Sequence, residues 1–491
     1  MTTTAGPTSD TPITSSGLDR YFAISERSST IRREIRGGVV TFFAMAYIVV
    51  LNPLIIGTAT DADGHVLGIP QVAAVTALVA AVMTVLMGVA GRYPFAIATG
   101  LGLNAFLAVG VASQMSWPDA MGLVACEGMI ITLLVLTGFR NAVVAAIPAQ
   151  LKTSIGVGIG LFIALIGLVD AGIVRRVPDA AGTVVPVQLG TGTLRGWPVT
   201  VFVVGLLVMA ALMALRVKGA ILIGIVVNAV LAVIVEAVVH AGPAVDPTGR
   251  VNPTGWQLNV PRLPDSLTGT PDLSLLGHLS LFGGFARIGV LAAALIVFTI
   301  MLSDFFDTMG TVVAVAAEGN LLDERGELPG MRQVLLVDSV AAAAGGVAST
   351  SSNTTYVESA AGVGDGARTG LASVVTGLLF VVAMFLTPLV AVVPSEAAAP
   401  ALVVVGCLLF AQVKKLDLDD FSLAIPAFLT IVVMPFTYSI TDGVGVGVVS
   451  YVVLRAVTGR AREIHPVLWV VTAAFVAYFA IEPLKSLLGV S

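Results

Sequence analysis

Five acidic residues stand inside long apolar runs of this chain: Glu127, Asp304, Asp307, Asp338 and Glu358. A charge at the centre of a membrane-crossing helix costs about 2.5–3.5 kcal/mol on insertion scales, so acids persist there where they hold a substrate, a proton or another helix. Asp304 and Asp307 lie in Phe298-Thr299-Ile300-Met301-Leu302-Ser303-Asp304-Phe305-Phe306-Asp307-Thr308-Met309-Gly310-Thr311. On a helix, 304, 307, 308 and 311 share one face. Two carboxylates one turn apart repel when both are ionised, so one of the pair is expected to take and release a proton. Either Asp could instead bracket the end of a neighbouring helix. Glu358 follows the polar run Ser349–Tyr356 and opens a short helix; an acid in a first turn is also an ordinary partner of the helix dipole. Glu127 and Asp338 read as hydrogen-bonding links between helices. Asn104 sits beside a second interrupted segment, where it could bridge two half-helices or simply pack. His65, His240, His278 and His465 all fall at loops or span ends. A proton carried through the interior is therefore expected on a carboxylate.

The elements that must position these groups are membrane spans. The chain has 491 residues, 57% hydrophobic and 11% charged, where a soluble domain carries roughly 25% charge. So little charge cannot cover a water-facing surface, and the apolar excess must face lipid. The net charge of −5 argues against nucleic acid as a partner. Cys126 and Cys407 lie in apolar runs and read as small packing residues. Stretches long enough to span, about 20 apolar residues each, fall near 38–57, 70–90, 95–112, 119–138, 153–172, 197–215 and 219–240. A Pro/Gly-rich loop follows over 241–284. A second series falls near 287–317, 331–348, 355–366, 369–393, 398–413, 422–440 and 442–458, and a last apolar segment near 465–487.

Seven spans, a loop and seven more make the second half point the opposite way, which is the arithmetic of an inverted repeat. The chain divides into a tail over 1–36, a first repeat over 37–240, an outer loop over 241–284, a second repeat over 285–458 and a C-terminal apolar segment over 459–491. Residues 1–17 are expected to be disordered and 18–36 to form a surface helix, with no signal-peptide pattern ahead of the first span. Lys and Arg collect on cytoplasmic loops. Arg20, Arg27, Arg32, Arg33 and Arg36 place the N-terminus in the cytoplasm, and Arg92, Arg140, Lys152, Arg216, Lys218, Arg325, Arg332 and Arg368 fall on the same side. Arg175, Arg176 and Arg195 fall on the other and weaken the assignment. Spans 3 and 10 look interrupted: Pro94 to Asn104 is Gly-rich, and Ser349 to Tyr356 is polar at membrane depth. Irregular backbone is tolerated there only where protein buries it or it lines a cavity. Matching interruptions in two halves point to a binding site.

At these residues the chain resembles the AzgA-like purine permeases, a branch of the nucleobase–ascorbate transporters. The matching stretches are Leu18-Asp19-Arg20-Tyr21-Phe22, the run Arg36 to Ile48, Gly100-Leu101-Gly102-Leu103-Asn104-Ala105-Phe106, Asp304-Phe305-Phe306-Asp307-Thr308, the run Thr354 to Val363, and Pro426-Ala427-Phe428-Leu429-Thr430. They run in order from about Leu18 to His465. The resemblance implies an all-α polytopic fold of fourteen spans as a 7+7 inverted repeat, with short strands before half-helices 3 and 10. It implies a core of spans 1–4 and 8–11, a gate of spans 5–7 and 12–14, and substrate between the strands and span 8. The span-8 acid matches Asp304 and the span-10 acid Glu358, both expected to hydrogen-bond the base. Uracil-transporting relatives place a His four residues after the span-8 acid, where this chain has Thr308. Thr99 stands where the motif has Pro, which could alter the span-3 strand.

The function expected is proton-coupled import of adenine, guanine or hypoxanthine by an elevator-type movement in a plasma or inner membrane. Substrate contacts are expected from Asp304, Glu358, Thr308, Phe305, Tyr356, Phe95, Gly100 and Asn104, with Asp304, Asp307 and Glu358 as candidates for proton coupling. Gly156, Gly158 and Gly160 in span 5 are expected to allow close approach at the seam between core and gate. No cofactor, metal or enzymatic constellation is expected. The partners are a purine, a proton and the lipid bilayer, with a homodimer through the gate as a further possibility. An anion transporter or a uracil/xanthine transporter of the same fold is the alternative. Acids at the site weigh against an anion.

Overall fold

A computed structural model describes residues 17–488 apart from 138–147, 177–186, 190–195, 245–251, 253, 258, 264–265, 325–327 and 438. The tail over 1–16 and Arg140, Arg195 and Arg325 lie outside the described residues. The surface helix expected over 18–36 is shorter, α1 (Gly17–Phe22). The first span begins earlier than its apolar run because Thr30 caps it, accepting from the Arg33 amide at 3.3 Å. Arg32, Arg33 and Arg36 therefore ride on the first turns of α2 (Ile31–Met45), and the span resumes after Ala46–Tyr47 as α3 (Ile48–Ile56).

The first run of seven continues with α4 (Ile69–Leu86), which a wider turn prolongs to Gly91, and with β1 (Ile97–Thr99) leading into α5 (Leu101–Phe106). It ends with α6 (Trp117–Thr137), α7 (Ala149–Asp170), α8 (Trp197–Ala214) and α9 (Ala220–Val239). An antiparallel pair, β2 (Val174–Arg176) and β3 (Val187–Leu189), carries Arg175 and Arg176 where the sequence suggested only a loop. After α10 (Gly283–Ile288) the second run is α11 (Val290–Glu318), α12 (Met331–Val347), β4 (Asn353–Thr355) with α13 (Ser359–Gly364), α14 (Gly370–Met384), α15 (Ser395–Phe410), α16 (Phe421–Thr437) and α17 (Ile440–Val457). The last apolar segment is α18 (Pro466–Leu488), which packs on α17 and α11. Among the described residues nine spans are long and apolar enough to cross a membrane. The shorter α12, α14 and α16 and the two strand–helix elements bring each run to seven.

Packing falls into two sets. In one, α6 lies along α12 and α14 lies against α2 and α4; in the other, α7 lies against α15 and α16, and α8 against α9 and α15. The glycines of α7 belong inside the second set, which corrects the expectation that they face a seam with the first. A Cβ at Gly158 would fall 2.6 Å from Met434 Sδ of α16, and one at Gly160 would fall 2.8 Å from the Gly406 carbonyl of α15. Where α7 does meet the first set, the space comes from the other partner: a Cβ at Gly102 of α5 would fall 2.4 Å from Ile159 Cγ2.

Candidate functional site

Two short strands cross in the interior, and every neighbouring helix contributes a polar group to them. β1 and β4 run antiparallel with Ile97 opposite Thr355, Ala98 opposite Thr354 and Thr99 opposite Asn353. The Tyr356 amide donates to the Ala96 carbonyl at 2.9 Å, and the Gly100 amide to the Ser352 carbonyl at 3.0 Å. A strand surrounded by apolar helices has no water to complete its hydrogen bonds, so side chains must do so. Thr84 of α4 accepts from the Ile97 amide at 2.9 Å and donates to its carbonyl at 3.0 Å. Ser359 accepts from the Ala96 amide at 3.0 Å. Asp338 of α12 accepts from the Thr355 amide at 2.9 Å, the Thr355 hydroxyl at 2.8 Å and the Thr308 hydroxyl at 2.7 Å. Glu127 of α6 accepts from Ser352 at 3.2 Å, and Asn52 of α3 donates to the Thr350 carbonyl at 3.2 Å. Ser351 takes φ of +80°, a strained value outside glycine. Gly345 makes room for it, since a Cβ there would fall 1.9 Å from the Ser351 carbonyl oxygen.

Beside this crossing, α11 changes character along its length. Its face over Ile300, Ser303 and Asp304 is buried, whereas Asp307, Ala314, Ala317 and Glu318 are exposed. Thr308, Thr311 and Val312 between them are buried, so the exposure at Asp307 is separate from the exposed C-terminal end of the helix. α13 packs on α11, and Val357 and Gly364 along it are exposed while Glu358 is half-buried. The two helices meet at their C-terminal ends, where a Cβ at Gly364 would lie 3.0 Å from Glu318 Oε1. At the inner end, Asp307 lies within electrostatic reach of the Glu358 carboxylate. An opening beside such acids can receive a small molecule that donates hydrogen bonds. A separate cavity of about 340 Å³ lies between the end of α3, the turn after α5, the end of α7 and Gln257; it includes Asp170 and none of the predicted site residues.

The predicted site residues divide between this opening and the scaffold behind it. Asp307 and Glu358 face the opening, and Asp304 is fully buried one turn away. Thr308 is turned inward, bonded to Asp338 and, at 2.6 Å, to the Thr354 hydroxyl. Phe95 is fully buried and stacks on Tyr93, with ring centroids 5.6 Å apart. Phe305 is buried. The Tyr356 hydroxyl donates to the Thr99 carbonyl, which ties α13's approach to β1. Asn104, fully buried, donates to the Thr99 hydroxyl at 2.9 Å, a bond that Pro at 99 could not accept. Two buried residues escaped the sequence reading. Tyr47, at the break between α2 and α3, donates its hydroxyl to Glu358 Oε1. Glu34, on the first turn of α2, accepts from Ser29 and from the Arg368 and Thr369 amides at 2.9 and 3.1 Å, holding the start of α14. Tyr47 carries no charge, so a search for the cost of buried charge passes over it. Glu34 sits among arginines and reads as surface.

The chain matches the Permease family, Xan_ur_permease, over residues 32–446. It is 38% identical over 467 residues to the guanine/hypoxanthine permease PbuG of Bacillus subtilis, covering 94% of this chain and 99% of that one. It is 36% identical over 462 residues to the adenine permease AdeP of Escherichia coli, covering 94% and 95%. Among solved structures it resembles the transmembrane domain of a cyanobacterium bicarbonate transporter, BicA, with a TM-score of 0.57 at 14% identity over 85% of this chain and 97% of that one. It also resembles the murine anion transporter Slc26a9, with a TM-score of 0.58 at 11% identity over 91% and 74%. At that identity the likeness speaks for the fold alone, two inverted runs of seven spans. With both broken spans in their places and the family matched along most of its length, the chain is a multi-pass membrane protein that belongs to the permease family, among the nucleobase–ascorbate transporters.

Proposed function

We propose that the chain imports purine nucleobases (adenine, guanine or hypoxanthine) together with a proton. The observation that carries this reading is the pair of carboxylates, Asp307 exposed and Glu358 half-buried, beside a crossing of two paired strands. A purine presents N–H donors and ring-nitrogen acceptors in one plane. Carboxylates accept from the N–H groups, and an aromatic ring such as Tyr356 offers a face for stacking. Glu358 and Asp304 hold the base, with Asn104 and Gly100 on the β1–α5 side; Phe305, Phe95 and Thr308 support them from behind. The relatives named as guanine/hypoxanthine and adenine permeases support the substrate class.

The proton rides on a carboxylate of the set Asp304, Asp307 and Glu358. The membrane potential then adds about 2.3 kcal/mol per charge per 100 mV to the driving force. Access alternates as the core, spans 1–4 and 8–11, slides against the gate, spans 5–7 and 12–14. The division of packing into two sets and the exposure of Asp307 support this reading. The N-terminus and the C-terminal end of α11 face the cytoplasm of a plasma or inner membrane, and the protein pairs through its gate. Anion transport, the activity named for one structural neighbour, fits the site poorly, since carboxylates at the opening repel an anion.

The test is uptake of radiolabelled hypoxanthine, adenine, guanine and uracil into cells lacking their own permeases. Purine accumulation that a protonophore abolishes supports the reading. No purine uptake, or accumulation indifferent to the protonophore, ends it. Full activity in Asp304→Ala and Glu358→Ala would remove those residues from the site.

A further inference from the structure

Resting on the purine–proton reading, we propose that Tyr47 divides the work of the two carboxylates at the opening: it holds Glu358 as the acceptor for the base and leaves the coupled proton to Asp307. Tyr47 lies at the break between α2 and α3, 1% exposed, and its hydroxyl donates to Glu358 Oε1 across the fold. A phenol has one proton to donate. Given to a carboxylate, it strengthens that group's hold on its charge through a charge-assisted hydrogen bond. Among the described residues no side chain donates a hydrogen bond to Asp307, which stands open to the same space. Two acids within electrostatic reach, one with a built-in donor and one without, cannot share a proton evenly.

The groups around the pair agree with this division. Asp338 faces Asp307 from α12, but its oxygens are engaged by Thr308 and Thr355. Tyr356 faces the pair from the strand side, but its proton goes to the Thr99 carbonyl. That leaves Tyr47 as the phenol directed at Glu358. It occupies Oε1 and leaves Oε2 for an N–H of the base. The junction of α2 and α3 lies where a side chain of the first span meets the start of α13. When the base binds, Glu358 accepts from it. When a proton binds, Asp307 becomes neutral and the site carries one negative charge fewer through the membrane.

The experiment measures uptake KM against pH in wild type, Tyr47→Phe and a protein with 4-aminophenylalanine at position 47, a weaker donor of nearly the same shape. In wild type, lower pH leaves KM unchanged or lowers it, since the proton is a co-substrate. In Y47F protons reach Glu358, and KM rises on the acid side by up to about tenfold per pH unit. 4-Aminophenylalanine gives an acid-side rise smaller than that of Y47F, and decides the matter should Y47F fold poorly. Asp307→Asn is expected to keep exchange of labelled for unlabelled base and to lose accumulation driven by a pH gradient. KM–pH curves that superimpose for all three Tyr47 proteins would overturn the proposal. So would protonophore-sensitive accumulation by D307N. If wild type itself takes up no purine, or does so without a proton, the functional reading has failed before the role of Tyr47 is asked.

Discussion

The two broken spans are built alike and equipped differently. Each is a three-residue strand followed by a six-residue helix, and the strands pair with one another. The β1–α5 arm carries no ionisable side chain; its polar groups, Thr99 and Asn104, bond to each other. The β4–α13 arm is polar along its approach and ends on Glu358 at the opening and Asp365 at the far end. Their anchoring differs in kind. A threonine hydroxyl, Thr84, holds β1, and a buried carboxylate, Asp338, holds β4. The backbone symmetry makes one crossing, and the chemistry placed on it sets an uncharged arm against one that carries carboxylates.

The largest effect that tests this contrast is on stability. Asp338→Ala leaves the Thr355 amide and the Thr355 hydroxyl short of an acceptor, each at a cost of about 1–3 kcal/mol, and leaves Thr308 with the Thr354 hydroxyl as its partner. Thr84→Val strands mainly the Ile97 amide, about 1–3 kcal/mol in all. Thermal unfolding in detergent should therefore rank wild type above T84V and T84V above D338A. Equal losses would mean the arms are anchored alike.

Next in size is the loss of acceptor charge in the second arm. Glu358→Gln keeps shape and removes an acceptor worth about 1.5–3 kcal/mol to a hydrogen-bonded ligand, so purine affinity should fall about 10- to 150-fold while the protein remains monodisperse. Binding measured by calorimetry on purified protein checks it, and unchanged affinity would dissolve the distinction between the arms. In the first arm, Thr99→Val removes one neutral hydrogen bond, about 0.5–1.5 kcal/mol, and should move KM by no more than roughly tenfold. A T99V protein as crippled as E358Q would make β1–α5 an equal partner in binding.

The smallest effect lies at the outer end of α13. Lys218 and Arg36 bond the Asp365 carboxylate and hold it below the usual carboxylate range, with Lys218 the larger influence. A lowered value in the folded state adds stability above the ordinary Asp value, and that stability drains away as pH falls through the folded value. Asp365→Asn should thus cost under about 1 kcal/mol at neutral pH, since both cations are well exposed. The gap to wild type should hold from pH 7 to 5 and close only below about pH 4. A gap that widens with acid would contradict the sign of the shift.

Much of the fold is legible because a bilayer imposes few solutions. Apolar runs of the right length mark spans, and a polar run such as Ser349–Tyr356 at membrane depth marks a break. The candidate acids are legible for the same reason, since buried charge is costly wherever it falls. What escaped depends on which neighbour a residue meets. Asp304 and Asp307 share a helix face in the sequence, yet Asp304 is packed among its neighbours and Asp307 is exposed. Gly158 and Gly160 announce a close approach without naming the partner, and the partners are α16 and α15. Thr99, a departure from the family motif, proves to be the acceptor for Asn104.

By itself, then, the amino-acid order determined that this chain crosses a membrane many times in two opposed runs and carries acids to its interior. Hydrophobic length and the cost of buried charge are local properties that need no knowledge of neighbours. Only the tertiary structure decided that Tyr47 reaches Glu358 across 311 positions of chain, that Asp338 closes the β4 hydrogen bonds, and that Asp307 faces open space. A hydrogen bond is directional and short, so its partners are set by where the helices pack and not by their order along the chain.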